Sequence, residues 1–213
     1  MKIINLSNTT FKAKPIYPIN LKSIDKKGNE ATVSGFFSEI SNQNVEDLSL
    51  VRDIKNFWKT PPRRDNYINT ICGHFINSKN KEYSNCFYIT ELANPRLSQY
   101  DSTKSIIETT NPYLTDKYYF YIDYIQSASQ NAYQPFPKTK GAGALAIYGA
   151  VKLAKDNDFD NVKIFSLNND FYDAIGLTPT DEACEVAAYY ELPANKYDTF
   201  LKNIEEKYDI KKA

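Results

Sequence analysis

The run YYFYIDYIQ, residues Tyr118–Gln126, constrains the fold of this chain more than any other stretch. Aromatic and β-branched residues favour a pleated, extended backbone, and here apolar side chains fall on both faces except at Asp123. A strand apolar on both faces is expected to be covered on both, which places it centrally in its sheet. A loop with Pro135 and Pro137 follows, then Lys138-Thr139-Lys140-Gly141-Ala142-Gly143-Ala144, leading straight into a helix expected over about 142–156. That helix has so little polar surface beyond Lys152 and Lys155 that it should be mostly buried. Next come a short strand, Val162–Leu167, and a short helix, Asp170–Ile175, stopped by Gly176.

The flanking segments complete a layered arrangement. Ile16–Ile24 and Ala31–Ile40 surround Lys26-Lys27-Gly28-Asn29, a turn whose last two residues tolerate positive φ, so a β-hairpin is expected. Asn44 is placed to cap a helix over roughly 45–59, with Asp47 reaching back as in a capping box. Leu48, Val51, Ile54 and Trp58 recur at helical spacing along it. A second helix is expected at about 65–77, strands at 85–92 and 105–110, a last strand at 185–192 and a last amphipathic helix at 194–208. Helices interspersed with strands indicate one α/β layered domain.

Composition narrows the function classes. The 213 residues carry 26 Lys+Arg and 26 Asp+Glu, net zero, whereas domains devoted to a nucleic-acid backbone are usually strongly basic. Cys72, Cys86 and Cys184 form neither a disulfide framework nor a C-x-x-C pair, and His74 is the single histidine, so no metal site is expected. No stretch approaches the length of a membrane span and the first residues lack a signal-peptide core, so a cytoplasmic protein is expected.

The glycine loop carries the chemistry. Glycine lets the backbone approach a ligand closely, and the first turn of the following helix presents free N–H groups and partial positive charge, together an anion site. Lys138, Lys140 and Lys152 add attraction. The P-loop pattern is absent, because no Lys-Ser/Thr pair follows Gly143. Gly141-Ala-Gly143-Ala-Leu-Ala146 matches G-x-G-x-x-A on its face, but a dinucleotide site needs a strand running directly into the first glycine. Close helix packing is the plain structural alternative.

The order of strand 118–126, K-T-K-G-A-G, long helix, VKIFSL and FYDAIGL (171–177) resembles the GNAT superfamily of acyl-CoA-dependent N-acetyltransferases. Lys138–Gly143 is similar to that family's pyrophosphate loop, with Lys138 where Gln or Arg is usual, and FYDAIGL to its "FYekxGF" segment. The resemblance covers about 118–177. It implies a mixed α+β single domain, 1–213, with a central, mostly antiparallel twisted sheet flanked by helices. In it 1–82 supplies the hairpin and two helices, and 178–213 a closing strand and helix where the family generally has two strands.

The resemblance also implies function. An acceptor amine attacks the thioester of acetyl-CoA directly, the acceptor being a small-molecule amine or an amine of a peptide or protein. Tyr172, four residues before Gly176, is the expected general acid. The backbone of Ile125, Gln126 and Ser127 is expected to hold the pantetheine arm, provided the strand bulges or ends there. Lys138, Thr139, Lys140, Gly141, Ala142, Gly143 and Ala144 are expected to hold the pyrophosphate, and a backbone N–H near Tyr124–Ile125 the oxyanion. For the base, Asp123 is the one charge inside the central strand, either catalytic or paired with a neighbouring cation; Glu91 and Glu39 are the other candidates. His74 reads as a partly buried structural histidine. The alternative in another class is a non-catalytic module of the same fold that binds acyl-CoA or a protein.

Overall fold

The structure, a computed structural model, describes residues 14–25, 27–41, 43–58, 70–72, 75–76, 84–91, 103–110, 117–128, 139–166, 168–181 and 187–210. Its centre is a nine-stranded sheet in the order β6-β1-β2-β3-β4-β5-β7-β9-β8. The strands are β1 (Lys14–Ile24), β2 (Glu30–Ile40), β3 (Ser84–Glu91), β4 (Thr103–Thr110), β5 (Tyr119–Ser127), β6 (Thr139–Lys140), β7 (Asn161–Ser166), β8 (Thr178–Pro179) and β9 (Ala188–Pro193). Every pairing is antiparallel except β5 with β7. The mixed, mostly antiparallel sheet expected from the sequence is therefore observed.

The β1–β2 hairpin turns on Asp25, whose Oδ1 accepts from the N–H of Lys27 at 2.7 Å and of Asn29 at 2.9 Å. Gly28 alone takes the positive φ expected there, at +85°. Helix α1 (Val45–Phe57) is capped by Asn44, whose side chain accepts from the N–H groups of Glu46 and Asp47. Asp47 corrects one expectation. It does not close a capping box onto Asn44 but reaches further back, accepting from the Ser41 N–H at 2.9 Å. Helical backbone recurs at 70–72 and 75–76, within the second expected helix. Ile54, Trp58, Ile71, Cys72 and Phe75 pack with Ile106 against one face of the sheet.

Helix α2 (Ala142–Asp156) covers the other face, burying Leu145, Ile147, Ala150 and Val151 against Phe37, Phe87, Ile107 and Phe120. Helix α3 (Asn169–Ala174) joins the same side through Tyr172, and α4 (Tyr197–Tyr208), entered through a 3-10 turn at Ala194–Lys196, packs on α2 with Tyr197, Phe200, Leu201 and Ile204. The closing segment thus holds a strand and a helix, with the two-residue β8 that no sequence pattern announced.

Strand β5 is central, between β4 and β7, but it is not covered on both faces. Phe120 and Ile122 are buried under α2, whereas Tyr121 and Asp123 are exposed on the opposite face. Apolar patterning overstated the covering because the α1 layer extends over β4 without reaching β7. Among the described residues no helix is long and apolar enough to cross a membrane.

Candidate active site

Two irregularities in β5 create an opening in the sheet. The first is where parallel pairing with β7 stops, at Ile122 and Ile164. Beyond that pair β5 runs on to Ser127 along β4, and β7 runs on to Ser166 along β9. The β7-side edge of 123–127 therefore faces no strand among the described residues.

The second irregularity is a bulge. Thr109 pairs with Ile122 and its neighbour Glu108 with Tyr124, so Asp123 is the extra residue. An extra residue shifts the alternation of faces. Before it, the even-numbered Phe120 and Ile122 face α2; after it, the odd-numbered Ile125 does, while Tyr124 turns to the α1 cluster. The bulge also brings Ser127 to the start of α2, where its Oγ stands 3.5 Å from the position a Cβ would take on Gly143. Thus Ile125, Gln126 and Ser127, the expected pantetheine-side residues, lie on the open edge next to the glycine loop.

The glycines differ in role. Gly141 precedes α2 with φ +85°, and a Cβ on it would sit 2.2 Å from the Tyr208 ring. Its requirement is backbone conformation and packing. Gly143, two residues on, would place a Cβ at 3.4 Å from the Phe171 ring, an ordinary contact. It lies between Ser127 and Phe171 beside the N–H groups of Ala142, Gly143 and Ala144, which have no acceptor within the helix. Ser105 fixes this helix start to the sheet, its Oγ donating to the Ala142 carbonyl at 3.0 Å.

The lysines depart from expectation. Lys140 belongs to β6, paired opposite Lys22, and its Nζ forms an ion pair with Glu30 on the hairpin. Lys152, further along α2, lies over the Tyr17 ring and 3.9 Å from Asp156. Neither of these two is directed to the helix start. Thr139 is buried in β6 opposite Ser23. Lys138 and His74 lie outside the described residues.

Tyr172 sits on α3 with its ring in the core, tilted against Tyr190 at 5.3 Å and edge-on to Phe171 at 5.0 Å. Tyr190 ties down the helix that carries it. Its hydroxyl donates to Asp173 Oδ1 at 3.0 Å, with the Asn169 carbonyl oxygen at 3.2 Å. Burial first, and then the Asp173 carboxylate, raise the Tyr190 phenol above its usual range.

The three carboxylates expected as bases separate. Asp123 stands at the opening and is exposed, as alternation along β5 from exposed Tyr121 places it. Glu91, at the end of β3, is two strands from β5, about 10 Å at ordinary strand spacing. Glu39, on β2, is three strands away, about 14 Å. Sequence reasoning missed Glu108, buried on β4 directly opposite Tyr124. Its signal was a lone acid in the run TKSIIETT. Glu108 lies close enough to Cys72 to help raise that thiol, which burial above all pushes up to about 12. No group of His, Cys, Asp and Glu among the described residues could hold a metal.

No protein-family model matches the chain, and no curated protein matches its sequence. Solved structures do match. A protein assigned to the GNAT acetyltransferase family from Desulfovibrio desulfuricans aligns at 11% identity and TM-score 0.51, over 75% of this chain and 99% of its own. Tetrahymena GCN5 aligns at 10% and 0.50, over 74% and 95%. A chimera of the spermidine N-acetyltransferase SpeG from Vibrio cholerae with hSSAT aligns at 10% and 0.50, over 76% and 97%. This chain has the fold of the GNAT acetyltransferases.

Proposed function

We propose that this protein transfers an acetyl group from acetyl-CoA to a primary amine of a small molecule, peptide or protein. The observation that carries the reading is the opening of the sheet past Ile122 and Ile164, bulged at Asp123 and facing the glycine start of α2. A sheet edge offered next to a helix N-terminus suits a ligand with an extended amide arm at one end and phosphates at the other.

Acetyl-CoA supplies an activated thioester when bound. The backbone of Ile125–Ser127 holds the arm as an added strand, and the N–H groups of Ala142–Ala144 hold the pyrophosphate where Gly143 leaves room. Asp123 accepts the proton of the amine, directly or through one water. A backbone N–H near Tyr124–Ile125 stabilises negative charge on the acyl oxygen. Tyr172, held by Tyr190, donates a proton to the departing sulfur.

Tyr172→Phe tests the acid. Thiol release from acetyl-CoA, followed over a panel of primary amines, should fall by about 10²–10⁴, the usual range for a lost general acid. Thermal stabilisation by acetyl-CoA should persist. Unchanged turnover would remove Tyr172 from the mechanism, and stabilisation without turnover in the wild type would leave a binding module.

A further inference from the structure

Helix α4 runs back along α2, so that the end of one meets the start of the other. Lys155, near the end of α2, is paired with Asp198 at the start of α4. Midway, the Tyr148 hydroxyl donates to Glu205 Oε1 at 3.1 Å. Tyr208, the last residue of α4, reaches Gly141 ahead of α2. The turn beyond it is tied to β1, where the Asn20 side chain donates to the Asp209 carbonyl. These contacts fix where Tyr208 stands.

Tyr208 is 7% exposed, and the edge of its ring that carries the hydroxyl lies against Gly141. Its Cε1, Cζ and Oη stand 2.2, 2.5 and 2.6 Å from the position a Cβ would take there. A buried phenol ordinarily has a hydrogen-bond partner. Tyr17, Tyr148 and Tyr190 have theirs in Asp156, Glu205 and Asp173. The Tyr208 hydroxyl has none among the described residues, and burial alone raises this phenol above its usual range. What the hydroxyl meets instead is the start of α2, whose N–H groups at Ala142, Gly143 and Ala144 carry partial positive charge. A donor beside other donors calls for a shared acceptor, and positive potential calls for an anion. The Lys207 ammonium, 5.9 Å from the centre of the same ring, adds to that preference.

We infer that Tyr208 is a binding residue of the acyl-CoA site, its hydroxyl donating to a phosphate oxygen held at the start of α2. The inference deepens the acetyl-transfer reading above and rests on it. It extends the site from the glycine loop to the closing helix, outside the stretch that resembles the family.

The test is Tyr208→Phe, which keeps the ring and removes only the hydroxyl, read by the Kd of desulfo-CoA. Loss of a hydrogen bond to a charged group should raise that Kd about tenfold. Tyr197→Phe makes the same chemical change on the same helix, about 16 Å away at 1.5 Å per residue, and should leave the Kd within about twofold. Inorganic pyrophosphate should compete with desulfo-CoA about tenfold more strongly on the wild type than on Tyr208→Phe. An unchanged Kd in Tyr208→Phe, equal losses in the two variants, or pyrophosphate that competes equally on wild type and Tyr208→Phe would overturn this inference alone. A wild type that binds neither desulfo-CoA nor acetyl-CoA would overturn the transfer reading and this inference with it.

Discussion

A Cβ on Gly141 would lie 2.2 Å from the Tyr208 ring, on a backbone whose φ of +85° already disfavours any L side chain. Gly141→Ala should therefore cost about 2–4 kcal/mol, the sum of a left-handed penalty and overpacking, measured by urea unfolding. A cost under about 1 kcal/mol would mean that Tyr208 does not seat there. Asp47 gives a residue-scale prediction in pH. Burial, aggravated by Glu46 and opposed by the Ser41 N–H, raises its carboxyl above the usual 3.8. A carboxyl whose folded pKa is raised stabilises the fold below its unfolded value and loses that contribution as pH rises through the folded one. At pH 7 the ionised group is then a burden. Asp47→Asn keeps an acceptor for Ser41, so its Tm should equal or exceed wild type at pH 7, with that advantage vanishing below about pH 4. A large loss at pH 7 would contradict the assignment.

At the scale of elements, the six-residue α3 is too short to be stable alone, and Tyr190 anchors it to β9. Tyr190→Phe retains the ring packed against Tyr172 and removes the hydroxyl bonded to Asp173. Turnover should fall while the KM for acetyl-CoA holds, and adding Tyr190→Phe to Tyr172→Phe should cost no further turnover. Additive losses would show that Tyr190 acts on something other than Tyr172. Elements with local signals were legible in sequence. Asn44 announced α1, and the buried periodicity of 142–156 announced α2 at its observed bounds. The bulge was expected only as a condition for binding, because it is defined by β4 opposite, through Glu108 and Thr109, rather than by residues beside Asp123. The Lys140 ion pair was illegible for the same reason: its partner Glu30 lies 110 residues earlier.

For the whole molecule, one sheet carries two unequal coverings. The α2 side is a continuous core from β1 to β9, whereas the α1 side packs around Ile106, Ala128 and Tyr124 near the centre of the sheet. The uncovered part of the sheet exposes Tyr121, which the apolar run 118–126 had placed under cover because Tyr and Phe suit both settings. The opening between β5 and β7 likewise belongs to the molecule: strands about forty residues apart pair over Tyr119–Ile122 and then part. The account turns on that opening being an acyl-CoA site. The most direct measurement is thermal stability with excess acetyl-CoA, desulfo-CoA, NAD or ATP, for the wild type and for Gly143→Arg. A ligand at a hundred times its Kd should add about 2.7 kcal/mol. The account predicts stabilisation of the wild type by the two CoA compounds alone, and its loss in a folded Gly143→Arg. Stabilisation by NAD instead, or by the CoA compounds equally in both proteins, would contradict it.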